Sequence, residues 1–204
     1  MDRRAFLCAL LFRISSGTQP RPQAAPTQGE TLMSSHDMAV RATLKVKPDV
    51  TLPFIWASIT LFTDHFNINL AEGESVPNFG EMPLADDYEQ SIELTEDGTL
   101  SLYLSCHAGH GEEPNYLQNL IDALDGMVIA GGALEVVDHD TSAANNDAVW
   151  ARFIGADDTQ RIYARLAYGL ERGREWLVDV IDPSGFEQLS QLAKSLADAK
   201  LIKA

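Results

Sequence analysis

From Val40 onward, apolar and polar residues alternate along most of the chain, and two stretches at helical spacing interrupt the alternation. Alternation sends successive side chains to opposite faces of a strand, so it predicts strands over 43–47, 54–62 and 66–70. A Gly- and Pro-rich excursion from 71 to 87 follows. The clearest hairpin is "SIELTEDGTLSLYLSC", residues 91–106, with Asp97-Gly98 as a favoured tight-turn pair. Ile92 and Leu94 mark the apolar face of one arm, and Leu100, Leu102, Leu104 and Cys106 that of the other. Cys106 is therefore expected to face inward and His107 outward.

"EEPNYLQNLIDALDG" predicts the first helix. Pro114 suits its first turn, Gly126 its stop, and Leu117, Leu120, Ile121 and Leu124 form one stripe. Strands are expected at 133–139, 148–154, 160–170 and 175–181, then a helix over 184–200 carrying Leu189, Leu192, Ala193 and Leu196. In that reading 155–160 closes one hairpin and Glu171-Arg172-Gly173 another, which sets Arg165 opposite Asp179. The expected fold is α+β: a largely antiparallel sheet with two packed helices, arranged as two similar meander-plus-helix halves, 40–130 and 131–204. Residues 1–39 are expected to be a disordered leader or an imperfect export signal, and 40–204 one domain.

Charge changes the picture more than overall composition does. The 204 residues carry a net charge of −15, and from Pro48 to Ala151 there is no Lys or Arg against nineteen Asp and Glu. Nucleic-acid binding needs basic side chains to neutralise phosphates, so it is not expected, and an anionic membrane surface is disfavoured for the same reason. No apolar run is long enough to span a bilayer. A surface of this kind suits a cationic protein partner, whose approach it would steer.

Two groups of residues invite a chemical reading. "SCHAGHGEEPNY" offers Cys106, His107 and His110, which with His139 from "VVDHDT" would make a zinc-type ligand set. Opposite strand faces for Cys106 and His107 count against it, and carboxylates at a helix start need no metal. The second group is Trp150, Arg152, Arg161, Tyr163 and Arg165, which the predicted strands would place on one face. Arg with aromatic residues is an interface composition. The competing reading is that these arginines neutralise acids within the molecule. No Walker, G-x-S-x-G, H-E-x-x-H or paired C-x-x-C pattern occurs.

Arg3, Arg4, Phe6 and Leu7 in "MDRRAFLCALLF" resemble the start of a bacterial twin-arginine export signal. The apolar run is short and closes at Arg13, and Met33 and Met38 are alternative starts, so a cytoplasmic location is expected, with export to the periplasm as the alternative. The expected function is a non-enzymatic acidic binding protein, an inhibitor or immunity-type protein that neutralises a cationic protein partner. The alternative is a small metal-binding protein or metal-dependent enzyme with zinc in the 106–110 loop.

Overall fold

The first strand becomes the centre of the sheet. In the computed structural model, which describes residues 35–85, 89–109, 113–138 and 148–201, β1 (Ser35–Lys45) pairs antiparallel with β4 (Thr99–Gly109) on one side and β5 (Gly132–Asp138) on the other. β3 (Gln90–Leu94) and the two-residue β2 (Gly80–Glu81) extend the sheet beyond β4, and β6 (Ala148–Ile154) extends it beyond β5. The order is β2-β3-β4-β1-β5-β6, all neighbours antiparallel. Strands from both of the expected halves thus belong to one sheet. The described residues all lie within Met33–Ala204, so β1 starts ahead of the domain boundary expected at 40.

β1 is central because its inward positions are uninterruptedly apolar. Met38, Val40, Ala42 and Leu44 are buried on the same face as Leu100, Leu102, Leu104 and Cys106 of β4, Ile92 and Leu94 of β3, and Leu134 and Val136 of β5. This is the face seen in the hairpin sequence, now shared by four strands. At the hairpin tip Gly98 takes φ +79°, and Lys45 donates to Asp97 at 2.6 Å. The Lys45 ammonium, with the Thr95 and Thr99 hydroxyls, holds the Asp97 carboxyl well below the usual range.

Three helices cover that inner face. α3 (Glu113–Asp125) buries its Leu117, Leu120, Ile121 and Leu124 stripe, as its spacing predicts. α1 (Leu52–Ser58) and α2 (Thr60–His65) occupy the stretch expected to be the strand 54–62. The reason is visible in the buried positions, Leu52, Ile55, Ile59, Phe62 and Phe66, which recur every three or four residues rather than every two. Pro53 lies in the first turn of α1, where its missing N–H costs nothing. The β-branched and aromatic residues there mimic a strand by propensity, and packing overrides it. Phe62 and Phe66 lie with ring centroids 4.7 Å apart, and His65 stacks on Tyr116 of α3. The strand expected at 66–70 is reduced to a single bridge, Leu70 to Leu84.

The larger correction lies in the C-terminal third. Residues expected as strands 160–170 and 175–181 instead form one long helix, α4 (Asp158–Leu177), followed by a turn and by α5 (Pro183–Leu201). Asp157 caps α4 by accepting from the Gln160 N–H at 2.8 Å, and the Gln160 side chain reaches back to the Ala156 N–H at 3.0 Å. That reciprocal arrangement is a capping-box variant readable as D-x-x-Q. Glu171-Arg172-Gly173 sits inside the helix, so there is no hairpin there and no Arg165–Asp179 cross-strand pair. The expected α+β class with an antiparallel sheet holds, with five helices among the described residues.

The start of α4 is clasped to the sheet. Asp125, at the end of α3, accepts from the Gly155 N–H at 2.8 Å and from Arg161 at 2.6 Å, and Gln160 donates to the Ile129 carbonyl. Gly131, at φ +81°, lies directly beneath the Ile154 and Gln160 carbonyl oxygens. These contacts fix where α4 crosses the sheet.

Candidate binding surface

Opposite the core, the sheet presents a polar face. Its composition follows from the same alternation: with Ile92, Leu94, Leu100, Leu102 and Leu104 inward, Ser91, Glu93, Ser101, Tyr103 and Ser105 must point outward. One row across the sheet reads Ser91–Tyr103–Arg41–Glu135–Ala151, by the successive strand pairings. The neighbouring stretch reads Glu81–Glu93–Ser101–Thr43. α4 lies over the β5–β6 end of this face, and it leaves the β2–β4 side open. Between them is an open depression of about 440 Å³ lined by Arg41, Thr43, Ser91, Ser101, Tyr103, Glu135 and Tyr168 among others.

Its α4 wall is organised by one carboxylate. Glu135, whose side chain is only 15% exposed, accepts from Arg41 at 2.6 Å, from the Tyr168 hydroxyl at 2.8 Å and from Arg172. Burial pushes its pKa up, but the hydrogen bonds from Tyr168, Arg41 and Arg172 together outweigh burial and hold it below the usual glutamate range. Hydrogen bonding to Tyr168 and to Glu135 in turn raises the Arg172 guanidinium above its ordinary value. The Arg172 head also lies 5.5 Å from the Tyr168 ring centre, and the Tyr168 ring meets Phe153 edge-on at 5.9 Å. Glu175 pairs with the outer side of Arg172 at 3.3 Å, so the two guanidinium groups of the wall are matched by two carboxylates.

The opposite rim is acidic. Glu81 and Glu93 stand directly across from each other on β2 and β3, both exposed, and no cation pairs with either among the described residues. Like charges directly opposed across strands repel. Glu89 and Glu96, at the two ends of β3, are exposed as well.

The residues expected to share one partner-binding face do not. Trp150 and Arg152 lie on the inner face of β6, with Trp150 packed against the core and Arg152 exposed. Arg161, Tyr163 and Arg165 are on α4, across the sheet from them. Arg161 ties α4 to Asp125 of α3 and pairs with Asp158 within α4, Tyr163 donates to Asp198 of α5, and Arg165 lies 6.0 Å from the Phe153 ring centre. Arg161 therefore neutralises acids inside the molecule, the competing reading of those arginines.

Of the expected zinc ligands, Cys106 is buried, with its Sγ donating to the Met38 carbonyl at 3.4 Å, whereas His107 is exposed on the other face. His110 and His139 lie outside the described residues, as does the arginine-led leader. Among the described residues no three His, Cys, Asp or Glu side chains converge as a metal site. No described helix is long and apolar enough to cross a membrane.

The residues of the depression escaped the sequence reading in unequal measure. Ser91, Ser101 and Tyr103 were implied by the hairpin's alternation as the complement of its apolar face. Tyr168 and Arg172 could be placed there only once 158–177 was known to be helical. The chain matches no protein-family model, no curated protein and no solved structure.

Proposed function

We propose that this chain is a non-enzymatic acidic binding protein, an inhibitor or immunity-type protein whose open sheet face receives and neutralises a cationic segment of a protein partner. The observation that carries the reading is the unpaired opposition of Glu81 and Glu93 beside a hydroxyl-lined depression. A Lys or Arg side chain set between the two carboxylates would relieve their repulsion, so binding gains from both the new pair and the lost repulsion. Ser91, Ser101 and Tyr103 supply neutral donors and acceptors for the rest of the segment, and the wall where Glu135 already accepts from Arg41, Tyr168 and Arg172 limits how far it extends. The basic-free stretch 48–151 adds a long-range field that speeds association.

Charge reversal at two places separates this site from general acidity. Glu81→Lys with Glu93→Lys is expected to weaken binding of an extended Lys/Arg-rich peptide about tenfold or more at moderate salt. Asp179→Lys with Glu187→Lys makes the same change in net charge at exposed positions after α4, at the other end of the sheet, and is expected to cost only a few-fold. Equal losses from the two double variants, read by calorimetric titration, would reduce the binding to nonspecific attraction.

A further inference from the structure

The two edges of the sheet are built differently. β2 is two residues long and carries Glu81, the usual means of discouraging a further strand. β6 is seven residues, "AVWARFI", with no proline and one charge, Arg152. Among the described residues nothing pairs with its outer edge. Val149 is 47% exposed and Arg152 has no ion-pair partner among the described residues. An edge of this length and composition is a template for another strand.

We infer that β6 pairs antiparallel with β6 of a second copy of this chain, about a two-fold axis at Ala151. The occupant follows from the side chains that this register opposes. On the inner face Trp150 of each copy meets Arg152 of the other, giving two cation–π contacts and a use for the exposed guanidinium. On the α4 face Val149 meets Phe153 of the second copy, twice. The sequence is thus complementary to itself, as an isologous contact requires. A two-fold axis normal to the sheet keeps each layer on its own side, so the α4 helices flank the seam on one face and the two sheets become one. The acidic rim at β2 and β3 lies at the far end of each copy, so this contact and partner binding are independent.

The test uses the full chain. Sedimentation equilibrium of the intact protein should give twice the chain mass, and Arg152→Glu, at an exposed position, should weaken self-association about tenfold or more. In a Cys8→Ser background, Ala151→Cys should form an intermolecular disulfide on oxidation. Directly opposed residues lie within about 4.5–5.5 Å, inside the range a disulfide spans. Ser91→Cys, on the open face, should not cross-link. A monomer at every concentration would overturn the inference. So would a dimer that Arg152→Glu leaves intact and Ala151→Cys does not trap, since that contact would lie on another surface, such as the exposed Trp176 and Val178. Binding of an acidic extended peptide along β6 of a protein that stays monomeric would also overturn it, by assigning the edge to that partner.

Discussion

Gly131→Ala is expected to lower unfolding stability by about 3 kcal/mol. The residue joins α3 to β5 at φ +81°, where an L side chain is strained. Space is also lacking: an added Cβ would lie 2.8 Å from the Ile154 carbonyl oxygen and 2.9 Å from that of Gln160. Both are backbone atoms, so relief would require moving the end of β6 or the first turn of α4. Gly73 provides the comparison, because it shares the positive φ but has no atom within 4 Å of an added Cβ. Gly73→Ala should therefore cost only the conformational part, about 1 kcal/mol. Urea unfolding of the two variants separates the terms; equal losses would mean that Gly131 does not clasp the junction.

Glu135→Ala should be the next most damaging change, at about 2 kcal/mol, because a partly buried Tyr168 hydroxyl and the inner side of two guanidinium groups lose their acceptor. Arg41 and Arg172 can turn toward water, which keeps the loss below that of a fully buried pair. The pH dependence has a definite sign. The folded pKa lies below the unfolded one, so the folded state favours the carboxylate. That stabilisation is fully present above the unfolded glutamate value, about 4.3, and is lost as pH falls through the depressed folded value. Glu135→Gln should remove this part of the acid limb while leaving the shape of the stability curve above it unchanged. Hydrogen exchange should show α4 as the segment that loosens first in both variants.

The hairpin 91–106 and α3 were legible in the sequence because each has an unambiguous period and a terminus signal: Asp97-Gly98, and Pro114 with Gly126. Pro183 marks the start of α5, but Leu192 and Leu196 of its expected stripe are exposed, and Phe186 and Ser190 are buried instead. Two segments misled for one physical reason. In 54–62 and 160–170, apolar residues are dense enough to satisfy period two locally, and only the longer series Leu52, Ile55, Ile59, Phe62, Phe66 exposes the helix. For α4 the informative residues were polar, Asp157 and Gln160, outside the apolar pattern altogether. That error carried into the site, since a helical 158–177 scatters Arg161, Tyr163 and Arg165 and brings Tyr168 and Arg172 to Glu135 instead. The opposition of Glu81 and Glu93 depends on strand register across a loop, which no local pattern encodes.

Whether a cationic segment lands on the open face beside Glu81 and Glu93 is tested most directly by NMR titration of the full chain with an extended Lys/Arg-rich peptide. The titration is run first at low salt and then near 1 M, where screening falls to about 3 Å. The predicted result is a set of amide shifts concentrated at Glu81, Ser91, Glu93, Ser101 and Tyr103 that reverses as salt is added. Shifts spread evenly over the exposed acids of the loops and helices, or none at all, would contradict it.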